Sequence, residues 1–191
     1  LPQSLARYWK NKEKQDRKRV YIVSLVLLLF LVHYLAFCIP QPFYIEDAGI
    51  SFAFARNAAD GEGFVGYPGG ERVEGFSNPL WTFLLSALYI IGIEPFTSSK
   101  LMGALFGCFA LCSVYGVAIR MRIGEFWSFV PSIMLALSTQ FVVWNASGLE
   151  NSLYAFLLCT GMWRLLLEDE EETRYPLSAL CFSLAAITRP E

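Results

Sequence analysis

The side chains most able to do chemistry in this chain are carboxylates placed at the starts of apolar runs. Glu46 and Asp47 open a segment reading EDAGISFAFARN. A carboxylate at the start of a helix is favoured by the helix dipole. At a membrane boundary it can accept a proton from a sugar hydroxyl or hold a divalent cation; the alternative is that Asp47 only caps the helix. Glu150 stands at the head of a later apolar run, after the short link Trp144-Asn145-Ala146-Ser147-Gly148-Leu149. It is either a dipole partner of the helix it begins or a second active-site carboxylate, and any metal would fall to Asp47 and Glu150. Glu74 and Asn78 stand either side of Gly75 and line a site or face water. Arg189 closes the last apolar run, where a guanidinium could bind a phosphate.

Several chemistries are excluded. The stretches GEG (61–63) and GYPGGE (66–71) lack phosphate-loop spacing and a following Lys-Ser/Thr, so they read as tight turns. HExxH and GxSxG are absent, which removes the usual protease signatures. The five cysteines (38, 108, 112, 159, 181) form no CxxC, and the single histidine, His33, lies in an apolar run, so Cys/His zinc ligation is not expected. Cys108 and Cys112 share a helix face as small buried hydrophobes. The Asn145-Ala146-Ser147 sequon lies too close to the bilayer to be an acceptor.

These residues must be positioned by membrane helices. The chain of 191 residues is 55% hydrophobic and 17% charged, against about 25% charged in a soluble domain. Its formal net charge of −2 is unevenly spread. Residues 1–19 form a basic tail, which sets orientation and gives no reason to expect nucleic acid. Residues 20–38 carry no full charge and span about 28 Å as a helix, an uncleaved anchor with the N-terminus in the cytoplasm. Residues 39–100 then form an extracytoplasmic loop with juxtamembrane helices at about 47–60 and 79–93. Further spans are expected at about 101–119, 126–144, 151–167 and 176–188. Ending at Arg189-Pro190-Glu191 reads as truncation of a larger protein.

The run at 79–93 decides the topology. At 15 residues it covers about 22 Å, short for a span. If it crossed, Lys100 and Arg189 would lie inside and Arg120, Arg122, Arg164 and Arg174 outside. If it stays on the outer side the split reverses, which the positive-inside rule prefers. Asp47, Glu74, Glu150 and Arg189 then share the outer face. The acidic run Glu168–Glu172 falls in a solvated cytoplasmic loop. The helix after Asp47 has Ile50, Phe54 and Ala58 at i,i+4, widened by Phe52 and Ala55, and stops at Gly61; it is expected to lie along the membrane surface.

The ordered set EDAxISFxxARN, PGGERVEGFSNPLW, WxASGLExxL and TRPE resembles the polytopic glycosyltransferases of the C-type fold (GT-C), most of all the branch with mycobacterial arabinofuranosyltransferases. The resemblance covers about residues 20–191. It implies an all-α, polytopic transmembrane helical bundle of GT-C type whose first outer loop carries the acidic motif. It also implies an inverting transferase in the cell membrane, moving a sugar from a polyprenyl-phosphate donor to a glycan, lipid or protein acceptor of the cell envelope. Carried over by position, Asp47 is the base with Glu46 beside it, and Glu150 is the second acidic residue. Arg189 or Arg56 neutralises the donor phosphate. Relatives often carry Asp-Asp and an aromatic where this chain has Glu46-Asp47-Ala48-Gly49. The competing classes are a membrane transporter, whose sites usually lie near the midplane on broken helices, and a non-catalytic scaffold subunit.

Overall fold

Good helix formers and the absence of Gly or Pro between residues 3 and 38 carry the first helix well past the apolar run. In the computed structural model, which describes residues 3–40, 43–73, 75–171 and 175–190, α1 runs Gln3–Cys38, 36 residues, or about 54 Å. The basic segment expected as a tail is therefore the first half of this helix, with Arg17 and Glu13 paired at 2.8 Å one turn apart. The helix stops short of Pro40, where the ring denies the backbone a donor.

Seven further α-helices follow among the described residues: α2 Glu46–Ala59, α3 Pro79–Ile90, α4 Pro95–Arg120, α5 Val130–Leu137, α6 Thr139–Asn145, α7 Asn151–Glu171 and α8 Leu177–Thr188. No strand occurs among the same residues. α3, α4 and α5 each begin with Pro in the first turn, where its missing N–H is not needed. The expected run 126–144 divides at Ser138 into α5 and α6, bent by 63°. Ser138 is extended and its Oγ accepts from the Phe141 N–H at 3.4 Å, capping α6. Pro131 sits harmlessly in the first turn of α5.

Among the described residues two helices are long and apolar enough to cross a membrane, Trp9–Cys38 and Pro95–Arg120. The bent pair α5–α6 makes a third if it counts as one span. α7 and α8, expected as spans, do not meet that measure. α8 has 12 residues, about 18 Å. α7 continues to Glu171 and takes Glu168–Glu171 of the acidic run into the helix.

Two apolar clusters hold the bundle. Ala48, Phe52 and Ala55 of α2 pack with Trp81, Leu85, Met102, Leu153, Leu157 and Ala185. Val26, Phe30 and Tyr34 of α1 pack with Leu111, Ala136, Val142 and Ala146. Glycines let backbones approach closely. A Cβ at Gly103 would stand 2.1 Å from the Asn145 carbonyl oxygen, and one at Gly116 2.5 Å from the Trp163 ring. The buried face of α2 differs from the expected one. Ile50 is 46% exposed, whereas Ala48, Ser51, Phe52 and Ala55 face the bundle. Phe54 is buried against the glycine-rich loop, with a Cβ at Gly75 falling 2.6 Å from its ring. α2 is thus a packed element of the bundle on one face.

Long-range contacts sort the chain into two ends. At one, the Lys100 ammonium donates to the carbonyls of Phe43 and Ala146. The Tyr44 hydroxyl donates to Phe96 O at 2.9 Å, and Ile45 N–H to Ser147 O at 3.0 Å. Both flanks of α3 lie at this end, since Asn78 meets Glu150 and Glu94 meets Arg56. At the other end, Arg19 lies 3.4 Å from Glu125, and Glu168 accepts from the Ser178 N–H at 3.0 Å and the Ser178 hydroxyl at 2.5 Å. Glu168 is therefore an N-terminal partner of α8, not a solvated loop residue.

Candidate functional site

At the first end, the starts of α2, α3 and α7 and the end of α8 surround an open cavity of about 620 Å³. Asp47, Ile50 and Ser51 of α2 line one side. Gly75, Phe76, Ser77 and Asn78 line a second, and Trp144, Leu149, Glu150, Asn151 and Arg189 close the third.

The link 145–150 is fixed from several directions. Gly148 has φ +90°, and a Cβ there would stand 3.1 Å from Ala48 Cβ and from the Phe52 ring. Only glycine meets both demands without strain. The Trp81 indole N–H donates to Gly148 O at 3.1 Å, so a fully buried side chain of α3 holds the turn that delivers Glu150. The Glu150 carbonyl accepts the Tyr154 N–H at 2.9 Å, the first bond of α7. Its carboxylate therefore sits at a helix N-terminus, where the dipole favours negative charge.

Glu150 is only 7% exposed, and its Oε2 accepts from Asn78 Nδ2 at 2.7 Å. Asn78 Oδ1 in turn accepts from Ser51 Oγ and Thr82 Oγ1, each at 3.0 Å. Two hydroxyl donors occupy both lone pairs of the amide oxygen, which turns the NH₂ towards the carboxylate. The reverse amide orientation would set Oδ1 against a carboxylate oxygen. Asn78, Ser51 and Thr82 are all buried, so this is a satisfied internal network. It ties α2, α3 and the start of α7 to one carboxylate.

Asp47 is placed differently. It is exposed in the first turn of α2, whose N-cap is Ile45 and has no side-chain cap. Asp47 thus faces the cavity without being the N-cap residue. Arg189 donates to Asn151 Oδ1 at 3.2 Å and lines the wall beside Glu150. The cavity accordingly holds an exposed carboxylate, a buried carboxylate and a guanidinium, with the half-exposed Trp144 ring also on its wall.

Of the residues singled out in the sequence, Asp47, Asn78, Glu150 and Arg189 come together here. Glu46 is exposed in the same helical turn and does not line the wall. Arg56 lies elsewhere: its guanidinium pairs with Glu94 at 2.5 Å and rests 5.3 Å from the Phe96 ring centroid. It does not line the cavity. Glu74 lies outside the described residues. Ser51, Thr82, Trp144 and Asn151 were not assigned roles in the sequence. Two carried a usable signal, since Ser51 follows Asp47, and Thr82 follows Asn78, by one helical turn.

Asp47 and Glu150 are the lining residues able to ligate a cation through carboxylates. Among the described residues no group of three or more His, Cys, Asp or Glu side chains is placed so that it could hold a metal ion. The Asn145 side chain is buried and donates to Phe141 O at 2.6 Å, which keeps the sequon asparagine out of reach of any modifying enzyme in the folded chain. Comparison with protein-family models, with curated proteins and with solved structures finds no match to this chain.

Proposed function

We propose that this chain is the membrane-embedded part of a glycosyltransferase that moves a sugar from a polyprenyl-phosphate donor to an acceptor hydroxyl at the extracytoplasmic face. The observation that carries the reading is the convergence of Asp47, Glu150 and Arg189 on one cavity at one end of the helices. In this reaction Asp47 takes the proton of the acceptor hydroxyl as its oxygen forms a bond to the anomeric carbon. The bond from that carbon to the phosphate oxygen breaks on the opposite side, so configuration inverts and polyprenyl phosphate leaves. The departing phosphate is already a stable anion and needs a cation rather than an acid; Arg189 meets that need. Glu150, fixed by Asn78, accepts hydrogen bonds from sugar hydroxyls, and Trp144 offers an aromatic face to the ring.

Charge distribution supports the orientation. Arg19 and the ends of α4 and α7, with Arg120, Arg122 and Arg164, stand at the end away from the cavity. The positive-inside rule assigns that end to the cytoplasm. α3 then remains on the outer side, with both flanks beside the cavity. A transporter finds less support, because the charged groups gather at a helix end and not near the midplane.

The test is transfer from a panel of radiolabelled polyprenyl-phosphate sugars, in membranes carrying the protein and supplied with a matched lysate as acceptor source. Wild type should transfer from one donor. Asp47→Asn should lose about 10²–10⁴ in rate at equal membrane abundance, the usual worth of a positioned base. Full turnover by Asp47→Asn would remove Asp47 as the base, and no transfer from any donor would overturn the class.

A further inference from the structure

The cavity leaves unexplained the other conspicuous feature of the molecule, the basic half of α1. Because α1 is continuous from Gln3 to Cys38, its charged residues keep a fixed angular relation and a fixed distance from the apolar span. Lys10, Lys14 and Lys18 recur at i, i+4 and i+8, within an arc of about 80°, and Arg17 falls on the same side. All four are exposed. The acidic groups nearby are taken up by arginines: Glu13 by Arg17 at 2.8 Å, Asp16 by Arg19 at 4.0 Å, and Glu125 of the α4–α5 connection by Arg19 at 3.4 Å. The segment therefore presents a lysine stripe whose own acids are already engaged.

Its depth follows from helix geometry. Counting from residue 20, where the apolar run begins, Lys18 stands about 3 Å along the axis, Lys14 about 9 Å and Lys10 about 15 Å. The headgroup layer on each side of the hydrocarbon is roughly 5–8 Å thick. Lys18 lies within it, Lys14 at its outer edge, and Lys10 within one Debye length of about 8 Å beyond it. A flexible tail would sample this zone only part of the time. A helix rooted in the bilayer holds the stripe there.

We propose that the Lys10–Lys14–Lys18 stripe is a binding surface for the phosphate headgroups of anionic phospholipids in the leaflet that α1 enters. The occupant is set by charge complementarity and by continuity with the span, independently of any reaction in the cavity. Each ammonium offers three donors to a phosphate held at its own depth.

The experiment uses the whole chain purified in a neutral detergent and offered equimolar phosphatidylglycerol and phosphatidylcholine, with retained lipid counted by native mass spectrometry. Wild type should retain phosphatidylglycerol over phosphatidylcholine by about threefold or more, since each basic residue near an anionic surface adds its own attraction. Lys10→Gln/Lys14→Gln/Lys18→Gln, which preserves helix propensity, should retain the two equally, while Lys12→Gln on the opposite face should behave as wild type. Should the triple variant fail to fold, the wild type gives the answer alone: its preference should fall steeply between about 0.05 and 0.5 M salt, as roughly 14 Å of screening length shrinks to about 4 Å. Equal retention by wild type, an unchanged preference in the triple variant, or insensitivity to salt would overturn the proposal.

Discussion

The two ends of this bundle are built on different principles. At the cavity end, residues far apart in sequence are joined mostly by directional bonds of buried and part-buried groups, beside the exposed pair of Arg56 with Glu94: Asn78 to Glu150, Trp81 to Gly148, Tyr34 to the Lys100 carbonyl, and the Lys100 ammonium to two further carbonyls. At the other end the ties are ion pairs of part-exposed side chains, such as Arg19 with Glu125, and the part-buried bond of Glu168 to Ser178. Buried hydrogen bonds are costly to break because the orphaned group has no water to turn to, whereas exposed pairs are screened and nearly neutral. Geometry therefore matters most at the cavity. One end fixes side chains relative to each other, and the other has less need to.

The sharpest way to break this contrast is at Gly103. Gly103→Val forces a side chain into the Asn145 carbonyl, a backbone atom 2.1 Å from the new Cβ. Overpacking against backbone should cost about 3 kcal/mol or more, read as a fall in the unfolding midpoint in mixed-micelle titration. Next comes Asn78→Ala, which strands a buried carboxylate and two buried hydroxyls together. We expect a loss of about 1–3 kcal/mol and, with it, loss of any transfer activity that depends on Glu150. An Asn78→Ala protein as stable as wild type would mean that the network contributes nothing. At the opposite end, Arg19→Gln should cost no more than about 1 kcal/mol for a pair whose side chains are 35% and 39% exposed. A larger loss would erase the distinction between the ends.

The smallest effect is a pH dependence at Glu168. Its carboxyl is held below its usual value of 4.5, chiefly by the Ser178 hydroxyl and further by the Ser178 N–H and Arg164. A depressed folded-state value contributes stability that is present above the unfolded value and lost as pH falls through the folded one. Thermal melts of wild type and Glu168→Gln should therefore differ above pH 4.5 and converge below it. Curves that stay parallel into acid would show that this bond does not report on α8.

Much of the scaffold was legible in the residues themselves. The apolar runs at 20–38 and 101–119 lie inside α1 and α4, and Gly61, with φ +90°, ends the turn after α2 as its lack of a Cβ permits. What was not legible depended on partners distant in sequence. Ser138 is the exception: its signal is local, a serine N-cap bonded to Phe141 three residues on, and it was passed over inside an apolar run. The buried face of α2 was misread because Phe54 has its own cover in the glycine-rich loop, so two apolar faces overlap in one periodic pattern. Glu168 looked like one of five solvated acids, since nothing local predicts that Ser178 will return to it. In the cavity, carboxylates at helix starts announced themselves by position. The diversion of Arg56 to Glu94 could not be read from spacing, as the two are 38 residues apart.

The bond between Asn78 and Glu150 also carries a consequence in time. Its partners are 72 residues apart, and at a synthesis rate of about 5–20 residues per second Asn78 precedes Glu150 from the ribosome by roughly 4–14 s. Through that interval α2 and α3 exist with their shared amide facing no carboxylate, and the Trp81 indole has no Gly148 carbonyl to meet. The arrival of residues 148–150 supplies the carbonyl and the carboxylate that complete this polar interior.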